Sequence, residues 1–132
     1  MAEAFTLRII SPDAPFFEGD CEFLEFTTTE GDIGVYAQHI PLTCILEPCV
    51  MTIHCPDGAK KAAVMGGFAE IQKTQVTVLA EDAQWPDEID VERAKEAKKR
   101  AEDRLGRHAE GLDMMRAEAA LKRAVARLDT AR

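Results

Sequence analysis

The chain has 132 residues, one domain's worth by the rough prior of ~100 to 200 residues each, which excludes a large multidomain enzyme. Sixteen Lys and Arg against 24 Asp and Glu leave a net charge of −8, the wrong sign for a surface that grips nucleic acid phosphate throughout. With 46% hydrophobic and 30% charged residues the composition is globular, and no apolar run approaches the ~20 residues of a membrane-spanning helix. The start, Met1-Ala2-Glu3-Ala4-Phe5, has no basic segment followed by an apolar one, so no secretory signal is expected and the cytosolic side is the default location.

Short runs between turn signals predict strands over Phe5–Ile10, Cys21–Thr29, Ile33–Tyr36, Thr43–Leu46, Val50–Cys55, Ala59–Met65, Phe68–Gln72 and Gln75–Ala80. Pro56-Asp57-Gly58 reads as a hairpin turn, and Gly66-Gly67 as a tight connection or bulge. Many short strands imply a sandwich or a barrel. The pattern then changes class after Pro86. All eight aromatic residues lie at or before Trp85, and Val, Ile and Thr number 20 before the break but four after it. Charge changes too, from four basic and 13 acidic groups to 12 basic and 11 acidic. The chain divides into β residues 1–86 and α residues 87–132.

In the second part Ala94, Ala97, Ala101 and Leu105, then Ala117, Leu121, Ala124 and Leu128, recur at helical spacing. Glu110-Gly111 lies between the two stripes, and so short a connection predicts an αα-hairpin. Alanine lets helices approach closely but removes little apolar area from water, at ~25 cal/mol per Å². A marginal, movable hairpin is one reading; a permanent appendage packed on the sheet is the other.

Catalytic signatures are missing. There is no phosphate-cradling Gly-Lys loop, no nucleophile elbow and no His-Glu-x-x-His pair. Glu30-Gly31-Asp32-Ile33-Gly34 lacks the lysine and following helix of a phosphate loop and reads as a turn into a strand. Cys21, Cys44, Cys49 and Cys55 form no C-x-x-C pair, and His39, His54 and His108 complete no zinc spacing with them, so buried reduced thiols are expected. His54-Cys55 is the one candidate thiol site. Asp82, Asp87, Glu88 and Asp90 read as helix N-terminal charges.

The tail also carries a spaced set of arginines. Arg93 and Arg100 are seven apart on one helix, and Arg123 and Arg127 four apart on the other. Pairing Arg93 with Arg127 and Arg100 with Arg123 places the turn near residues 110 to 112 both times, so an antiparallel hairpin brings four guanidiniums together. Planar donor forks suit phosphate oxygens, and a polyphosphate would clamp the two helices. Spacing alone favours the ordinary alternative of solvated arginines or ion pairs with Glu92, Glu96 and Glu118.

Over nearly its whole length the sequence resembles the epsilon subunit of the bacterial F-type ATP synthase. The resemblance is carried by Glu30-Gly31-Asp32-Ile33-Gly34-Val35-Tyr36, His39-Ile40-Pro41-Leu42, Gly66-Gly67-Phe68-Ala69-Glu70, Val76-Thr77-Val78-Leu79-Ala80 and Ile89-Asp90-Val91-Glu92-Arg93-Ala94. The last matches the I/L-D-x-x-R-A pattern of the ATP-binding members. The resemblance implies an N-terminal antiparallel β-sandwich followed by a C-terminal antiparallel two-helix hairpin. It implies a non-catalytic rotor subunit whose sandwich docks on the gamma shaft and the c-ring and couples the catalytic head to proton flow. Its hairpin would inhibit ATP hydrolysis when extended toward the alpha/beta head and permit it when folded, with ATP favouring the folded state.

The same resemblance places Ile89, Asp90, Arg93, Ala94, Arg100, Arg123 and Arg127 in the ATP site, Asp90 toward the adenine or ribose and the arginines toward the phosphates. Asp32 matches the acidic position that faces the c-ring. Mg²⁺ would accompany ATP, although the sequence shows no dedicated carboxylate cage. The implied location is peripheral, on the cytoplasmic face of the bacterial cell membrane. Two positions depart from the pattern: Ala37-Gln38 replaces the usual Pro-Gly, and Gln84 stands where an ATP-binding relative has glutamate. The competing reading is the same rotor subunit as a structural connector without significant ATP sensing.

Overall fold

Alternation decides the first strand. Phe5, Leu7 and Ile9 of β1 (Phe5–Ile10) turn inward and are almost wholly buried, while Thr6 stays exposed. The structure, a computed structural model, describes residues 3–107 and 111–132; the expectations for Met1, Ala2, His108 and Glu110 lie outside the described residues. Strand β1 pairs antiparallel with β2 (Pro15–Cys21) and parallel with β7 (Gln75–Ala80), so one pairing in the sheet departs from the antiparallel expectation. β2 precedes the strand expected from Cys21. β2 is an edge strand, where a leading proline and charged residues are tolerated, and its Glu18 meets Arg8 across the pair at 3.2 Å.

Strands β3 (Phe23–Thr28) and β4 (Gly31–Tyr36) form a hairpin. The Thr28 hydroxyl holds its turn, donating to the Gly31 carbonyl at 2.8 Å and accepting from the Glu30 amide at 3.1 Å. The strand expected from Ile33 thus begins two residues earlier, at Gly31. Beyond it Gln38 adopts φ +65°, in the left-handed region that glycine enters at no steric cost.

The largest difference from expectation concerns the middle of the chain. Four short predicted strands are two long ones, β5 (Leu42–Cys55) and β6 (Gly58–Ile71), paired from Leu42↔Ile71 to Cys55↔Gly58. Pro48 and the two glycines punctuate these strands without ending them. Gly66 and Gly67 take φ of +99° and +120°, and a side chain at Gly67 would collide with the Leu79 carbonyl oxygen. On either side of this kink β6 meets different partners, β7 from Gly67 onward and the short β8 (Ala83–Gln84) at Ala63 and Val64. The sheet order is β2-β1-β7-β6-β5-β3-β4, with β8 beside β6. Leu7, Ile9, Leu24, Val35, Met51, Ile53, Val64, Ile71, Val76 and Val78 fill the sandwich core.

A 3-10 turn, Pro86–Glu88, leads into α1 (Val91–Gly106) and α2 (Gly111–Ala131). The Asp90 carboxylate caps α1, accepting from the Arg93 amide at 3.1 Å. The helices meet along a seam of small side chains, Ala94 and Ala101 against Ala117 and Ala124, all buried; the flanking Leu105, Leu121 and Leu128 are only half-buried. Helix α2 lies on β5 and β6, where Ala126 packs with Ala63, Met65 and Ile89, and α1 rests chiefly on α2. Lys122 reaches Glu47 of β5 at 3.2 Å.

Candidate functional site

The three-and-four spacing that buries alanines along the seam turns the adjoining positions of both helices toward one side. Arg93, Ala94, Ala97 and Arg100 of α1 face Ala120, Arg123, Ala124 and Arg127 of α2 across a cleft of about 540 Å³. The volume lies in the range of small-molecule sites, ~300 to 1,000 Å³. Asp82, Gln84, Glu88 and Asp90, from β8 and the turn before α1, line the same cleft. All four arginines singled out by spacing therefore converge. Of the ordinary alternative, the intrahelical ion pairs are absent: Glu92 pairs with Lys95 at 3.5 Å, and Arg93, Arg100 and Arg123 make no ion pair among the described residues, while Arg93 and Arg100 are exposed, as solvated arginines would be.

The cleft is polar in two senses. Its helical walls carry four arginines together with the small side chains of Ala94, Ala97, Ala120 and Ala124. The junction with the sandwich presents acceptors instead, among them the carboxylates of Asp82, Glu88 and Asp90. An elongated ligand with phosphates at one end and hydroxyl or amine donors at the other matches this division. Arg127 is tied to the acidic side: its Nε donates to Gln84 Oε1 at 2.8 Å and its Nη2 lies 3.4 Å from Asp82 Oδ2.

One residue expected in the ATP site sits outside the cleft, and Asp32, expected at the c-ring contact, is likewise separate from it. Ile89 does not line the cleft; it is buried against Ala63, Met65 and Ala126 and anchors the turn from sheet to helix. Asp32 is exposed on β4, where its carboxylate accepts from Thr27 Oγ1 at 2.7 Å, and it does not line the arginine cleft. It lines a separate surface groove with Phe23, Glu25, Thr27 and Thr52. The sequence missed Asp82 and Glu88 as members of the cleft and read them as charges at a helix start. Only the pairing of β8 with β6 carries Asp82 under α2, and no local spacing announces a partner 45 residues away.

The thiol alternative has no geometry. His54 Nε2 bonds Glu25 Oε2 at 2.8 Å, and alternation along β5 puts its neighbour Cys55 on the opposite, buried face. Burial pushes all four thiols up, Cys21 to about 11, which leaves them protonated and unreactive near neutral pH. Among the described residues no three His, Cys, Asp or Glu side chains gather in a way that could hold a metal ion.

Known proteins bear on the whole chain. The family model described as the beta-sandwich domain of the ATP synthase delta/epsilon chain matches residues 4–86, and that for its long alpha-helix domain matches residues 87–132. The ATP synthase epsilon chain of Caldanaerobacter subterraneus subsp. tengcongensis is 42% identical over 132 residues, covering 99% of this chain and 96% of the relative. That of Bacillus velezensis is 42% identical over 125 residues and 95% of each chain. In fold, a chain of the Euglena gracilis mitochondrial ATP synthase superposes with a TM-score of 0.82 at 22% identity, over 97% of this chain and 81% of that one. With both halves matched in order and relatives of this identity spanning its length, the chain belongs to the ATP synthase delta/epsilon chain family.

Proposed function

We propose that the chain is a non-catalytic subunit of the central stalk of an ATP synthase, in which ATP bound between the two helices holds the hairpin folded on the sandwich. The observation that carries this reading is the meeting of Arg93, Arg100, Arg123 and Arg127 in one cleft. Guanidiniums from both helices sharing one triphosphate add an interaction made only when the hairpin is closed. Such differential affinity is the sole means by which a ligand shifts a conformational equilibrium. At ~100 times Kd it amounts to about 2.7 kcal/mol, enough to move a nearly balanced switch.

In this reading Asp90 serves the base or ribose end and the arginines the phosphates. Mg²⁺ enters as the companion of the triphosphate rather than on a protein cage. The sandwich is the docking part, bound to the gamma shaft and to the c-ring with Asp32 at that contact, and the opened hairpin reaches toward the alpha/beta head to restrain hydrolysis. Location follows from assembly: no described helix is long and apolar enough to cross a membrane, so the chain would be peripheral, at the cytoplasmic face of the bacterial cell membrane. One observation favours the connector reading, in which no ligand is needed: ion pairs Arg127–Asp82 and Lys122–Glu47 already bind α2 to the sheet.

A thermal melt with and without ATP separates the two. Saturating ATP is expected to raise Tm by on the order of 5–10 °C, and Arg93→Ala or Arg123→Ala to abolish the rise. A Tm that millimolar ATP leaves unmoved rules out ATP sensing and leaves the connector.

A further inference from the structure

Arg127 differs from the other three arginines of the cleft in that its charge is already answered within the protein. Asp82 is well placed for this. Its backbone carbonyl accepts from the Met65 amide at 2.9 Å, fixing it to β6, and its Oδ1 accepts from the Ala83 amide at 3.0 Å, leaving Oδ2 directed at Arg127. Gln84 adds an uncharged contact. Its Nε2 donates to the Glu88 carbonyl at 3.4 Å, which turns its oxygen toward the Arg127 Nε. A guanidinium has five N–H donors, so these two contacts leave Arg127 able to reach a ligand while neutralising much of its field.

We infer that Asp82 is a built-in counter-anion, which ties α2 to the sheet in the ligand-free protein and opposes the binding of phosphate at Arg127. The inference rests on the proposed ATP reading. The physical content is a competition between two anions for one cation, electrostatic rather than steric. Asp82 lines the cleft itself, so its charge also repels phosphate there. One carboxylate thus acts in opposite directions, stabilising the folded hairpin and weakening the ligand that would stabilise it further. The consequence is a raised threshold: the cleft responds to a higher triphosphate concentration than its arginine count alone would set, while the hairpin stays tethered below that threshold.

The opposite signs make this testable. A residue that merely packs the hairpin would, when weakened, loosen the hairpin and weaken a ligand that binds only its folded form. Asp82→Asn keeps size and an acceptor oxygen but removes the charge. Both carboxylate and arginine are partly exposed, so the effect is that of a surface pair, roughly two- to fivefold. The experiment titrates wild type and Asp82→Asn with ATP and with inorganic tripolyphosphate by calorimetry, at salt of about 0.01 M and about 1 M. It also follows trypsin cleavage of the ligand-free hairpin, whose many Lys and Arg residues report the opened population.

Expected are two- to fivefold tighter binding by the variant at low salt, a difference that shrinks at high salt, and two- to fivefold faster cleavage without ligand. Equal or weaker affinity in the variant, with wild type binding normally, overturns the competition and leaves the ATP reading intact. Failure of both proteins to bind either probe overturns the ATP reading and the competition together. Unchanged cleavage overturns the tether. Asp82→Ser repeats the comparison without the amide, and a result that differs in sign from Asp82→Asn also counts against a charge effect.

Discussion

The two halves of the molecule are held by different means. In the sandwich large side chains such as Leu7, Ile9, Leu24, Met51 and Ile53 are fully buried, and each strand's register is fixed by the face it must hide. In the hairpin the buried seam is alanine, and the leucines beside it are only half covered. A close approach of helices without much area removed from water gives geometry more than stability. The helices are held to the sheet by a small patch around Ala63, Met65, Ile89 and Ala126 and by ion pairs at Lys122 and Arg127. The contrast teaches that one half draws its stability from buried volume and the other from close approach and a few polar ties.

The contrast is broken most severely in the core. Ile53→Ala leaves a cavity in the fully buried core and is expected to cost about 2–5 kcal/mol in chemical denaturation; a loss below about 1 kcal/mol would mean the sandwich is not the rigid half. Gly67→Ala, which forces a side chain onto the Leu79 carbonyl at positive φ, is expected to cost about 1–3 kcal/mol by the same measurement. In the hairpin, Ala124→Leu wedges the seam at a cost of about 1–3 kcal/mol. It should lower helical ellipticity on heating while the sandwich transition stays in place, and a single shared loss would show the halves to be one cooperative unit.

Smaller changes sharpen the comparison. Asp90→Ala removes the α1 cap and is expected to cost about 1 kcal/mol, seen as faster amide exchange in the first turn of α1. Lys122→Ala removes an exposed ion pair worth less than about 1 kcal/mol, so its effect should vanish in high salt; persistence there would assign the role of Lys122 to packing of its aliphatic stem.

Much of this plan was legible in the sequence. Strands β1 and β7 appear at the bounds their alternation predicts, and both helices follow from the alanine and leucine spacing. Where local signals misled, a partner far along the chain had overruled them. Pro48, Gly66 and Gly67 look like breaks, yet β5 and β6 run through them because each is paired along nearly its full length. β2 is hidden by Pro15 and its acids because an edge strand tolerates both. The arginine convergence was readable, since helical period and a short turn fix which residues face one another. The place of Asp82 in the acidic wall was not, because it reaches the cleft only through the sheet register that places β8 beneath α2.

The account turns on whether a triphosphate bound by both helices closes the hairpin, and amide hydrogen exchange along α1 and α2 tests this most directly. With saturating ATP, exchange should slow throughout both helices while the sandwich strands stay unchanged, and AMP, lacking the outer phosphates, should do far less. Protection that is absent, that appears equally with AMP, or that is confined to one helix would contradict it.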